Sequence, residues 1–261
     1  IVEITQIKGT SETHPILSPT DEWSDFELWF KNRGKLDEKG QYIRDQDGTV
    51  VEFDGATTGA YARDALLTGM ELEESVGVNM YQFGFIGSTD GHNAASPFEE
   101  DEYFGKLGTN DGLPELRGSV PTDKKLASIM SDTLDWSASG LAGVWAEQNT
   151  RESIFQALKR KEIFATSGPR IRVRFFGGYD YPDDLDRAPD SIEKAYAMGV
   201  PMGGELTDEG NRVPHFFLSA SKDPMGGYLQ RAQIVKGWIE EVRHMILSGA
   251  AVDAAEAVEG N

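Results

Sequence analysis

The sequence predicts an α/β fold, and three observations carry the prediction. A helical pattern over Ala56–Val76 is followed directly by the aromatic run Tyr81-Gln-Phe83-Gly-Phe85-Ile86, which reads as a buried strand. A second capped helix from Asn149 runs into the apolar segment at Ile163. The second half is richer in strand patterns than the first, with Arg170–Phe176 alternating at a period of two. Helix followed by strand is the rhythm of a β/α barrel or a wound sheet.

Ile1-Val2-Glu3-Ile4 alternates like a strand, and Gly9–Pro15 is a small-residue turn. Trp23, Phe26 and Phe30 recur at helical spacing and predict an amphipathic helix with an aromatic core face. Residues 34–55 are polar and read as a loop or small hairpin. In the first long helix Tyr61, Ala65, Leu66, Leu72 and Val76 keep helical spacing, and Gly77 is the expected terminator. Residues 93–121 are Gly- and acid-rich, with the length of a lid or binding loop, and Asp123–Leu134 is weakly helical. Ser137–Trp145 is rich in small residues, as a segment passing close to another backbone or to a ligand would be. Asn149 is the expected cap of the next helix, with Glu152 three residues on and Lys159-Arg160-Lys161 in its last turn. Arg170–Phe176 alternates three arginines with Ile171, Val173 and Phe175, a strand with one cationic face. Ser191–Met198 reads as a short helix, and residues 213–220 and 228–239 as strands. The alanine-rich tail, 240–261, reads as helical before fraying.

Composition limits the function. The chain has 261 residues and a net charge of -19, from 44 acidic against 25 basic side chains. Such a surface repels duplex nucleic acid, although a bound cation can reverse the sign inside a cleft. No apolar run has the length of a membrane span. Without cysteine there is neither a disulfide nor a thiolate site, so a metal would have to be held by His, Asp and Glu. No Gly-x-Ser-x-Gly elbow and no phosphate-cradling Gly-rich loop appears. The compartment is not legible. Ile1 opens in mid-strand, which leads us to expect an upstream segment of the same protein.

The stretch with the most chemistry is Gly87-Ser-Thr-Asp90-Gly-His92, at the end of the aromatic run. Asp90 offers a hard oxygen and His92 a borderline nitrogen, a pairing suited to zinc, manganese or iron. A surface turn in which Asp90 caps the next segment fits equally. Glu12 and His14 repeat the spacing and could line the same cleft, or belong to a solvated loop. Arg170, Arg172 and Arg174 could clamp an anion, or pair with the surplus surface acids.

Several stretches together resemble a large bacterial family of unassigned function allied to the PHP (polymerase and histidinol phosphatase) metal-hydrolase domain. They are Gly9–Pro15, Phe83–His92, Asn149–Leu158 with Phe164–Arg170, and, more loosely, Gly199–Gly204 and Leu229–Trp238. The resemblance implies the C-terminal part of a distorted β/α barrel over residues 1–168 and a strand-rich segment over 169–239; the tail over 240–261, read from its residues as helical or frayed, departs from the strand-rich ending of the family. It also implies a divalent metal cofactor, with Asp90 and His92 on the family's final Asp-x-His ligand motif, and hydrolysis of a small phosphate-type ester. Glu12 and His14 fall in a segment typical of the family. The chain departs from PHP domains in lacking His-x-His: its four histidines are His14, His92, His215 and His244. The missing ligands are expected upstream of Ile1, leaving this portion weakly active or inactive alone. The resemblance is compatible with export. The competing readings are a non-catalytic binding or structural module, recognising a partner through the arginine face or the 93–121 loop, and a hydrolase of another ester such as a sulfate.

Overall fold

The computed structural model describes residues 1–29, 59–92, 137–207, 210–239 and the backbone of 246–253, with positions 35, 37–39, 43–46, 51 and 57 between them. The predicted loop over 93–121 and the helix over 123–134 lie outside the described residues. So does most of the predicted hairpin over 34–55. The chain divides into two compact units. One comprises Ile1–Glu3, Phe83–Ser88 and Gly140–Tyr228; the other comprises Ile4–Gln82, Thr89–Ser139 and Leu229–Asn261.

The fold is mixed α/β, but the barrel expectation is corrected. Among the described residues the strands form four small sheets, in orders β2-β1-β3, β10-β9, β4-β5 and β7-β6-β8, and none closes on itself. These strands are β1 (Val2–Gln6), β2 (Gly9–Thr10), β3 (Phe85–Gly87), β4 (Gly140–Val144), β5 (Ile163–Ser167), β6 (Arg172–Gly178), β7 (Gly199–Pro201), β8 (His215–Ser221), β9 (Arg231–Trp238) and β10 (Ile246–Asp253). The helices are α1 (Ala62–Val76), α2 (Arg151–Lys159) and α3 (Ser191–Met198). The pairs β1–β2, β4–β5, β6–β7, β6–β8 and β9–β10 are all antiparallel. A β/α barrel needs parallel neighbours joined by helical crossovers. The helix-then-strand rhythm is real, but the strands that follow α2 and α3, β5 and β7, pair antiparallel with their neighbours β4 and β6.

In the unit containing residues 140–228, α2 starts one residue later than the sequence signal. Thr150 is the cap, its hydroxyl accepting from the Ser153 amide at 3.3 Å. The small-residue segment passes close to another strand as expected: a Cβ on Gly143 would lie 2.2 Å from the Phe164 ring. Strand β6 is the spine of its sheet. It pairs with β8 from Arg172↔Ser221 to Gly178↔His215, and its last residues pair with β7. The core lies at the far end of β6 from the arginines. Phe176 is 1% exposed and clusters with Leu185 and Ala195, with Tyr181, Ile192 and Phe217 packed against them.

In the unit containing residues 4–82, α1 ends as predicted. Gly77 is left-handed at φ 78 and its amide donates to the Glu73 carbonyl at 2.9 Å. The start of α1 has no side-chain cap; instead the Ala62 and Arg63 amides donate to the carbonyls of Ser11 and Glu12. The aromatic helix expected around Trp23 is corrected to a series of turns. Trp23 and Phe26 are 39% and 47% exposed, and Phe30 lies outside the described residues. The reason is local. Asp21 Oδ1 accepts from the Trp23 amide at 3.0 Å, which competes with a helical hydrogen bond, and Glu27 is left-handed at φ 55. The tail expectation is corrected too: residues 246–253 are a strand, paired with β9 from Ile246↔Trp238 to Asp253↔Arg231.

Candidate functional site

The aromatic run forms a shorter strand than expected, Phe85–Gly87, and the chain does not stay extended after it. Asp90 is left-handed at φ 50, a conformation that Asp tolerates better than most residues. Its side chain meets that of His92, with Asp90 Oδ1 to His92 Nε2 at 3.1 Å. The other carboxylate oxygen, Oδ2, lies 2.7 Å from the Lys8 ammonium. The two predicted ligands thus converge, but on each other and on a lysine. The ammonium stands where a cation would neutralise the carboxylate.

Glu12 and His14 do not join them. Glu12 is bound by the Arg63 guanidinium, through Arg63 Nε at 3.1 Å and Nη2 at 2.5 Å, while Arg63 Nη1 reaches Asp21 Oδ2 at 2.8 Å. Gln233 adds a bond to Asp21 Oδ1 at 3.2 Å. Burial alone would raise the Asp21 carboxyl. The Arg63 bond and charge, the Trp23 amide and Gln233 outweigh it and hold the group below its ordinary value of 3.8. His14 is buried against Tyr61, ring centroids 5.6 Å apart, and its Nδ1 accepts from the Ile16 amide at 3.2 Å. It shapes the turn after β2.

Among the described residues, no group of three or more His, Cys, Asp or Glu side chains is placed to hold a metal ion. The expected metal-dependent hydrolysis of phosphate-type esters is therefore corrected: among the described residues no third His, Asp or Glu joins Asp90 and His92 in a metal-binding group, and Asp90 already pairs with the Lys8 ammonium. No helix of the described residues is long and apolar enough to cross a membrane.

The three arginines separate. Arg170 precedes β6 and follows the acid-pairing reading. Its amide donates to Asp223 Oδ2 at 2.7 Å, and its charge adds to the Arg170 and Met225 amide bonds that hold Asp223 below its ordinary value. Arg172 and Arg174 lie on β6 itself, two residues apart and so on one face. Arg174 lies flat on the Trp145 indole, 3.6 Å from the ring centroid, and its Nη1 donates to the Tyr196 hydroxyl at 3.1 Å. Trp145 is fixed in turn: its Nε1 donates to the Val173 carbonyl at 2.9 Å, and its ring packs on Phe164.

Behind this pair sits a buried carboxylate, Glu162. It accepts from the Tyr196 hydroxyl and from Arg160 Nε, the latter at 2.8 Å. The single Tyr196 proton goes to Glu162, leaving its oxygen to accept from Arg174. Burial first, then the bond and charge of Glu162, push the Tyr196 phenol up to about 12, against the opposing charges of Arg174 and Arg160. A folded-state pKa raised above the unfolded value means the stability it contributes is intact below pH 10 and lost as pH rises towards about 12. Tyr196→Phe is expected to flatten the alkaline limb of a stability-against-pH curve in that window, leaving the curve between pH 5 and pH 8 nearly parallel to wild type. An unchanged alkaline limb would remove Tyr196 from the network. Trp145, Glu162 and Tyr196 carry no local sequence signal. They stand 17 and 34 residues apart and meet only because α3 packs beside β6.

Fold and site define a mixed α/β protein of small open sheets, with a cation–aromatic cluster of Arg174, Trp145 and Tyr196 on β6 and its neighbours. A family model described as a protein of unknown function (DUF3604) matches residues 1–255, and the chain belongs to that family. No curated protein and no solved structure matches it.

Proposed function

We propose that this chain is a non-catalytic binding module that takes an anionic group on the Arg172/Arg174 face of β6. One observation carries the reading. In a chain of net charge -19, Arg63, Arg160, Arg212 and Arg231 each sit on a carboxylate. Arg172 and Arg174 have no carboxylate partner among the described residues. Arg174 spends one nitrogen on Tyr196 and one face on Trp145, so Nε and Nη2 remain in the plane of a preorganised fork. Arg172 stands roughly 7 Å along the same face, close enough for both to hold one oxyanion or two neighbouring ones. The surplus acid elsewhere favours this spot over others by contrast of potential.

Calorimetric titration with inorganic phosphate, sulfate and succinate at fixed ionic strength tests the reading. Saturable binding is expected that weakens about 10- to 100-fold in the Arg172→Gln/Arg174→Gln variant, the loss of one or two charge-assisted hydrogen bonds. Binding of the same strength in wild type and variant, or none to any of the three, would remove the proposal.

A further inference from the structure

Strand β8 closes its sheet on one side only. Its neighbour is β6, and the opposite edge has no strand among the described residues. The edge, His215-Phe-Phe-Leu-Ser-Ala-Ser221, carries no lysine, carboxylate or proline, the devices that normally blunt a free edge.

The direction of the backbone groups on that edge follows from the pairing of β6. The Val173 carbonyl accepts from Trp145 Nε1, so Val173 turns its backbone polar groups away from β8. By strand alternation Phe175 and Gly177 do the same, and Gly177 is the residue opposite Val200 on β7. Their partners on β8 are Ala220, Leu218 and Phe216. These three therefore direct N–H and C=O outward, and among the described residues no hydrogen bond to them is made from that side.

We infer that this edge pairs with β8 of a second copy of the chain, antiparallel, about a two-fold axis at Leu218. Hydrogen bonding and side-chain size both favour this register, which pairs all three outward-facing residues. The outward groups of Phe216, Leu218 and Ala220 meet those of Ala220, Leu218 and Phe216 in the other copy, making about six backbone hydrogen bonds. Side-chain size is complementary in that register: Phe216 faces Ala220, Phe217 faces Ser219, His215 faces Ser221, and Leu218 faces itself. The strand contributes no acid to oppose an acid, which matters in a chain so negatively charged. The face it would extend is apolar, with Val173 and Phe175 beside Ala220 and Leu218. Phe175 stacks on Phe216 at 5.4 Å, and Phe216 is still 55% exposed. An added strand would cover part of that ring.

The chain has no cysteine, so single thiols can report the register. In the proposed pairing the two Leu218 Cα atoms are about 5.5 Å apart, within disulfide range. The two Ala220 Cα atoms are about 14 Å apart. Sedimentation equilibrium of the full chain is expected to show a concentration-dependent dimer. Under mild oxidation Leu218→Cys should form an interchain disulfide at least about tenfold faster than Ala220→Cys, whose thiols lie beyond bonding distance. Leu218→Lys, which sets two ammonium groups against each other on the axis, should weaken association by on the order of tenfold or more. A monomer at all concentrations up to about 100 μM would overturn the inference. So would a dimer in which the two thiols cross-link at equal rates, since it would use another surface. A folded Leu218→Lys variant that still associates like wild type would also overturn it.

Discussion

Phe176→Ala is expected to lower the unfolding free energy of the unit containing residues 140–228 by about 3–5 kcal/mol, the largest effect of any single substitution considered. The ring is 1% exposed and packs edge-on against Tyr196 at 4.9 Å, beside Leu185, Ala195 and Phe217. Truncation removes the burial of a whole aromatic side chain and leaves a cavity between β6 and α3 that neither element can collapse into, because β6 is held on both sides by β7 and β8. Tyr196 loses its packing partner in the same step, so the near-ultraviolet circular dichroism of the folded variant should change as well. Urea denaturation followed by tryptophan fluorescence measures the loss. A cost under about 1 kcal/mol would show that Phe176 is not at the centre of this core.

The second large effect is expected at Arg63. Replacing it by methionine keeps much of the stem and removes the charge, leaving Asp21 buried without its cation. Side-chain exposure is 12% for Arg63 and 8% for Asp21, whereas Glu12 is about half exposed. Breaking such a pair costs about 3 kcal/mol, the low end of the range for buried pairs, because Glu12 can return to water. Arg63→Met/Asp21→Asn should recover part of the loss, since the second change removes the stranded charge. The pH dependence gives an independent check. Asp21 has a folded-state pKa below its ordinary 3.8, so its contribution is present above about that pH and lost as pH falls through the folded value. Wild type should lose stability steeply in that acid window, and Arg63→Met less steeply. Equal acid limbs would mean that Arg63 does not hold Asp21.

The two effects fall in different units and rest on different physics, and the sequence reveals them unequally. The strand bearing Phe176 is legible from the alternation over residues 170–176, although which of its faces is buried is not. Asp21 and Arg63 are 42 residues apart and give no sign of pairing. The same holds for the polar sites. Asp-x-His draws attention to Asp90 and His92, and the two do meet, but the Lys8 ammonium that engages Asp90 comes from the turn after β1. The arginine row is visible in the sequence as a charged strand face. Its division into Arg170 beside Asp223, Arg174 on Trp145 and an exposed Arg172 is not.

By itself the sequence determined those features that depend on neighbouring residues. These are α1 with its glycine stop, α2 with Lys159 in its last turn, α3, the alternating strand β6, the strands β8 and β9, and a strongly acidic net charge. Each follows from local backbone preference, side-chain period or total charge, which act over a few residues or over the whole composition. Tertiary structure alone decided which strands pair, that the sheets stay open, that the alanine-rich tail becomes β10, and what each charged side chain touches. Those outcomes depend on contacts between residues tens of positions apart. There a hydrogen-bonding partner outweighs a local preference worth a few tenths of a kcal/mol per residue, or roughly one at most.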